Sequence, residues 1–217
     1  MYYIDFDNTL YETGQLTKDV LIALAKTIGD TNKINPSIVL EELNNSFNST
    51  IDNFETFAAS LALKYNMKNS ILQECLNQII LIEGKKYVFP DAKKFLKELK
   101  DNGETVCILT YVAQEKNLNQ QASKLLGSGI FPYFNEVYNT TRHKFKLEID
   151  YSNKNFIFID DSPRDLEGLY NAGARNLIRM KKPNNIKRTS KELNIPTKIP
   201  TYTSFDDIPL KIVSQTK

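Results

Sequence analysis

Met1-Tyr2-Tyr3-Ile4-Asp5-Phe6-Asp7-Asn8-Thr9-Leu10 is the stretch from which the rest of the chain is read. Tyr2 to Ile4 are aromatic or β-branched, the residue types that favour a short buried strand. Two acids follow at once, and side chains at i and i+2 of an extended segment point the same way. Asp5 and Asp7 therefore project together from a strand's carboxyl end, where they repel. A divalent cation relieves such repulsion, and Mg²⁺ is typically held by one or two carboxylates plus phosphate oxygens. An EF-hand loop also begins D-x-D but needs Gly at its sixth position and Glu at its twelfth. Those positions are Leu10 and Leu16 here, so a calcium loop is excluded.

Composition narrows the field further. At 217 residues the chain has room for one or two domains of about 100–200 residues each. Hydrophobic residues at 41% and charged residues at 25% fit an ordinary globular protein. A formal charge of +2 gives neither a nucleic-acid footprint nor a polybasic membrane patch. Cys75 and Cys107 fall in apolar helical and strand patterns and read as buried hydrophobes, not as a disulfide. No leader with a charged start and an apolar run is visible, and no apolar stretch reaches about 18 residues. A cytoplasmic protein with no membrane and no nucleic-acid partner is the expectation.

Beyond the opening strand, residues 11 to 16 are turn-like. Thr17 is placed to cap a helix bearing Val20, Leu21, Leu24 and Ile28 and stopped at Gly29. Asn35-Pro36 starts a second helix; a third runs from about Ile51 to Tyr65, and a fourth from about Ser70 to Ile82. No strand pattern interrupts residues 17–83, which predicts a separate helical insert. From Tyr87 helices and strands alternate. Pro90 opens a helix closed by Gly103; Thr105 to Leu109 is a near-continuous apolar strand. A polar helix follows over about Gln114 to Leu126, then a strand at Glu136 to Tyr138 and a short helix or turn at Lys144 to Ile149. Asn155 to Ile159 is a strand, a helix runs from Pro163 to Gly173, and Leu177-Ile178 is a last strand. Residues 181–217 are polar and weakly patterned, with a short helix expected at about Ser204 to Val213. This alternation argues for a parallel sheet of βαβ units with right-handed crossovers.

Open α/β sheets bind ligands beyond the carboxyl ends of their strands. Asp5 and Asp7 follow the first strand, and Thr110 then Tyr111 close the second. Thr140 to Lys144 follow the third, and Asp160-Asp161 close the fourth, with Asp165 four residues on. D-x-D after a strand, a strand-end Thr, a Lys and then an acidic pair, in this order, resemble the haloacid dehalogenase (HAD) superfamily of phosphohydrolases over residues 1 to about 180. A two-component receiver domain uses similar groups, but its Thr and Lys come late and it carries no cap. The fold implied is an α/β, Rossmann-like core of residues 1–16 and 84–217, with residues 17–83 as an all-helical, C1-type cap.

The resemblance also implies roles. Asp5 is the nucleophile, since an ionised carboxylate attacks phosphorus without a base. Asp7 is the acid that protonates the leaving alkoxide and the base that activates water. Mg²⁺ is held by Asp5, Asp161 and the Asp7 carbonyl. Thr110 and Lys144 bind the phosphoryl group. Asp165 orients the lysine or a metal-bound water, and Asp160 is a supporting acid that could equally cap the Pro163 helix. Lys146, two residues from Lys144, is the other candidate lysine, and His143 reads as a loop residue. A dehalogenase or phosphonatase of this superfamily lacks the second acid, and a P-type ATPase carries D-K-T-G; none of these patterns is present. The activity implied is a Mg²⁺-dependent phosphomonoesterase for a small phosphorylated metabolite. A phosphomutase and a non-catalytic phosphate-sensing protein on the same fold are the alternatives.

Overall fold

The structure, a computed structural model, describes residues 1–47, 53–183 and 199–209. It divides into two compact units, Met1–Glu12 with Val88–Val112 and Ile130–Lys217, and Thr13–Tyr87 with Ala113–Gly129.

The first unit is built on a six-stranded sheet. Strand β1 (Tyr2–Ile4) lies at its centre, with β2 (Val106–Tyr111) on one side and β4 (Ile157–Asp160) on the other. β3 (Glu136–Thr140), β5 (Leu177–Met180) and β6 (Thr201–Tyr202) complete the order β3-β2-β1-β4-β5-β6, and all pairs are parallel. Residues 2–4 have no exposed face because the sheet is covered on both sides, as all-parallel sheets are. Tyr3 stacks on Phe158 with ring centroids 5.0 Å apart, in a cluster with Leu166 and Leu169 of helix α7 (Pro163–Asn171). Tyr2 points to the opposite face, edge-on to Phe95 of helix α5 (Pro90–Asp101). The chain runs outward through β1, β2 and β3, then returns to place β4 beside β1. The switch point of this doubly wound sheet therefore lies between β1 and β4, the crevice where such sheets take ligands.

The second unit contains α1 (Thr13–Asn32), α2 (Pro36–Ser46), α3 (Phe54–Lys64), α4 (Asn69–Asn77) and α6 (Leu118–Ser128). α4 continues into a π-helical turn at Gln78–Ile82 and a 3-10 turn at Gly84–Tyr87. Asn35 caps α2 by accepting from the Ser37 N–H, and Asn53 caps α3 by accepting from Glu55. The sequence reading had put residues 113–129 with the sheet; in the structure α6 packs in the helical unit. The reason is a bare-backbone contact: a Cβ on Gly127 would lie 1.8 Å from the Ile80 carbonyl oxygen.

Other expectations shift at their edges. α1 begins at Thr13, so Thr17 is not its cap; its hydroxyl donates to the Thr13 carbonyl at 2.9 Å from inside the helix. Gly29 does not stop α1. It is buried within the helix because the Ile34 carbonyl comes 2.7 Å from where a Cβ would sit, and the left-handed Lys33 (φ 56°) follows the helix end. The helix expected at about Ser204–Val213 is one 3-10 turn, Phe205–Asp207, and residues 210–213 lie outside the described residues, as do Ile51 and Asp52. β6 was missed altogether. Its segment is fastened by Asp91, which accepts from the Ser204 hydroxyl (2.9 Å), the Phe205 N–H (2.8 Å) and the Lys182 ammonium. Lys182 in turn lies over the rings of Phe89 and Phe205. Among the described residues no helix is long and apolar enough to cross a membrane.

Candidate active site

Asp5 follows β1 directly and extends its pairing, donating its N–H to the Ile159 carbonyl at 2.9 Å. The chain then turns sharply. The Phe6 carbonyl accepts from the N–H groups of both Leu10 and Tyr11, and Asn8 donates to the Tyr11 carbonyl at 2.7 Å. This turn requires a left-handed residue, supplied by Asn8 at φ 62°, and Asn is among the few non-glycine residues that tolerate that conformation. Asp5 is buried and Asp7, one residue before the turn's left-handed point, is half-buried.

Lys144 opens a three-residue 3-10 turn (Lys144–Lys146) after β3. Only 3% exposed, its ammonium donates to Asp5 Oδ1 at 2.5 Å and to Asp160 Oδ2 at 2.7 Å. It thus spans the switch point, joining the ends of β1 and β4. Lys146 is exposed. The other Asp160 oxygen accepts from the Ser162 N–H at 2.8 Å. Ser162, not Asp160, caps α7, its hydroxyl accepting from the Asp165 N–H at 3.3 Å. Asp161 and Asp165 are buried beside this turn, and Thr110 is fully buried at the end of β2.

Carboxylate oxygens of Asp5, Asp160 and Asp161 lie within 4.8 Å of one another. Two of these three buried carboxylates, Asp5 and Asp160, share the Lys144 ammonium. Burial is the largest influence on Asp5 and raises its carboxyl above the usual range; Lys144 opposes and Asp7 adds to the rise. The same balance pushes Asp160 well above that range, with burial first and Lys144 again opposing. Burial by itself would favour a neutral Lys144, but Asp160, Asp5 and Asp165 outweigh it and hold the amine protonated. Burial and the crowding of like charges thus raise the two acids, and the same acids raise the amine. Oxygen ligands in a tight cluster are what Mg²⁺ takes, so the donor set fits that ion.

The structure thus brings Asp5, Lys144, Asp160 and Asp161 into contact range, with Asp165 and Asp7 close enough to act on them electrostatically. Two supporting residues were missed in the sequence. Ser162 was legible, because Ser before Pro at the first helical position is a cap signature. Tyr151 was not: its hydroxyl bonds the main chain around Lys144, seven residues away, with no motif to mark it. His143 stacks between Tyr111 and Phe145, with centroids 5.0 and 5.2 Å apart, and its Nε2 lies 2.7 Å from the Arg164 guanidinium.

An all-parallel, doubly wound sheet with an acid cluster and a buried lysine at its switch point defines an α/β protein with its polar site in the crevice where such sheets take ligands. The sequence profile of the haloacid dehalogenase-like hydrolases matches residues 3–173, and the chain belongs to that family. No curated protein matches the sequence. Among solved structures, a Burkholderia xenovorans LB400 protein assigned to the haloacid dehalogenase-like hydrolases is similar at 16% identity and TM-score 0.66, over 99% of this chain and 95% of its own. A HAD phosphatase from Thermococcus onnurineus is similar at 13% identity and TM-score 0.57, over 99% and 97%. The L-2-haloacid dehalogenase of Xanthobacter autotrophicus is similar at 14% identity and TM-score 0.56, over 100% and 98%. At these identities the likeness is one of fold.

Proposed function

We propose that this hydrolase is a phosphomonoesterase that works through an aspartyl-phosphate on Asp5 and acts on small phosphorylated metabolites. The observation that carries the reading is the Lys144 ammonium set between Asp5 and Asp160, with Asp7 two residues beyond Asp5. Lys144 opposes the rise that burial gives the Asp5 carboxyl, fixes one of its oxygens by a hydrogen bond, and offsets the charge of an arriving phosphoryl group. An Asp5 oxygen forms a bond to phosphorus as the P–O bond to the alcohol breaks, and Asp7, protonated, gives its proton to the departing alkoxide. Asp7, now a carboxylate, then takes a proton from water as that water attacks phosphorus. The acyl-phosphate bond breaks, releasing inorganic phosphate and regenerating Asp5. Mg²⁺ would be held by Asp5, Asp161 and the Asp7 carbonyl with Asp160 beside them, and would supply positive charge to the phosphoryl oxygens. Thr110 is assigned to a phosphate oxygen and Asp165 to the orientation of Lys144. The helical unit is assigned the role of cap, its residues choosing among metabolites.

Asp7 is what separates this reading from dehalogenation, since a halide leaves without a proton. Purified protein with Mg²⁺, assayed for phosphate release across a panel of phosphorylated metabolites and for chloride release from 2-chloropropionate, tests it. Phosphate release lost in Asp5→Asn is expected. Chloride release, or no turnover of any phosphate ester, would refute it.

A further inference from the structure

The amine of Lys144 is useful only if its four-carbon stem starts from a fixed point, because a free lysine side chain loses up to about 2 kcal/mol of rotamer entropy when ordered. The element that carries it is weak. A 3-10 turn of three residues has poor hydrogen-bond geometry, and here its closing bond, from Leu147 N–H to the Lys144 carbonyl, is stretched to 3.5 Å. A side chain fills the opening. The buried Tyr151 hydroxyl donates to the Lys144 carbonyl and accepts from the Leu147 N–H at 3.1 Å, with the Leu147 carbonyl also 3.1 Å away. A phenol keeps its proton at neutral pH, and burial raises this one further, so the hydroxyl is a donor. The ring itself is seated against Phe158, centroids 5.9 Å apart, on the strand that ends at Asp160. A second anchor acts on the next residue: Gly168 lets Phe145 lie against α7, where a Cβ would come within 2.0 Å of the ring.

We propose that Tyr151 is a positioning residue for Lys144: its hydroxyl braces the open turn and ties it to the strand bearing Asp160, so that one amine reaches both Asp5 and Asp160. Its catalytic consequence rests on the phosphatase reading; its effect on Lys144 does not. Tyr151→Phe removes the hydroxyl and keeps the ring. Acylation of the folded protein with an amine-reactive acetyl ester, read residue by residue by mass spectrometry, should modify Lys144 about tenfold faster in the variant, the factor by which losing one buried hydrogen bond shifts a local opening. The exposed Lys146 serves as the control and should not change. Turnover should fall about 10- to 100-fold with KM within a few-fold, as expected for a catalytic group displaced by a fraction of an ångström to 1 Å. In a Lys144→Ala background Tyr151→Phe should cost no further activity, whereas a residue that merely supports the core would cost the same in both. Unchanged Lys144 acylation in folded Tyr151→Phe, or equal losses in the two backgrounds, would overturn the proposal. So would failure of Tyr151→Phe to fold, since the hydroxyl would then serve the core and not the turn. If the wild-type protein turns over no phosphate ester, the phosphatase reading fails while the acylation result still decides the role of Tyr151.

Discussion

Replacing Lys144 by Ala puts the charge balance of the site to the test. The amine makes two charge-assisted hydrogen bonds, at 2.5 and 2.7 Å, in a place where it is 3% exposed. Removing it takes the ammonium from Asp5 and Asp160, whose oxygens lie within 4.8 Å of each other and of Asp161. Breaking a buried ion pair by deleting one partner costs about 3–5 kcal/mol. For a chain of this size each kcal/mol moves Tm by about 2–4 °C, so Lys144→Ala in EDTA should melt roughly 6–20 °C below wild type. The more negative cluster should then bind Mg²⁺ more tightly. Because an ion at 100 times its Kd adds about 2.7 kcal/mol of stability, Mg²⁺ should raise the Tm of the variant by more than that of wild type. Turnover is expected to fall by about 10²–10³, the usual loss for one preorganised charge-stabilising donor. Thermal unfolding with EDTA and with Mg²⁺, alongside initial rates, measures all three. The exposed Lys146→Ala should stay within a few-fold in rate and within about 0.5 kcal/mol in stability. The reasoning is refuted if Lys146→Ala does the greater damage, or if Lys144→Ala melts in EDTA like wild type.

Three further outcomes are expected. Activity should vanish in EDTA, return with Mg²⁺ and be inhibited by Ca²⁺, which prefers more ligands and looser geometry; full activity in EDTA would sink the metal assignment. With p-nitrophenyl phosphate, whose leaving group barely needs a proton, Asp7→Asn should release about one equivalent of nitrophenol in a burst and trap a phosphoryl group on Asp5, because hydrolysis of the intermediate still needs the base; steady release with no trapped phosphate would contradict the assignment. At the C-terminal fastening, burial works to raise the Asp91 carboxyl, but Lys182, the Phe205 N–H and Ser204 outweigh it and hold it below the usual range. A depressed acid contributes stability above its unfolded pKa and loses it as pH falls through the folded one, so the Tm gap between wild type and Asp91→Asn should be full near neutrality and close as the solution is acidified below about pH 4; a gap that widens on acidification would show the opposite shift.

Local signals in the sequence determined most of the sheet and the placing of Asp5 and Asp7 after its first strand. Tyr2 to Ile4, Val106 to Leu109 and Ile157 to Ile159 are apolar runs of strand length, and a strand buried on both faces has no other composition available. Asp5 and Asp7 were legible because their relation is fixed by i, i+2 geometry and the turn that follows. Asn35-Pro36 and Pro90 named their helices because a cap is a contact between near neighbours. What depended on distant partners was not legible. Thr17 and Gly29 carry the residue types of helix ends, yet a backbone packed on Gly29 and a start at Thr13 kept both inside α1. α6 belongs to the helical unit because Gly127 admits the Ile80 carbonyl, a fit between surfaces and not a pattern along the chain. β6, two residues long, is a strand only because β5 pairs with it. Sequence order pointed to Lys144 but left Lys146, two residues on, as the other candidate. The tertiary structure buries Lys144 between Asp5 and Asp160 and leaves Lys146 in solvent, because two carboxylates 139 and 16 residues from Lys144 meet at the sheet's switch point, a meeting that no local preference of the chain encodes.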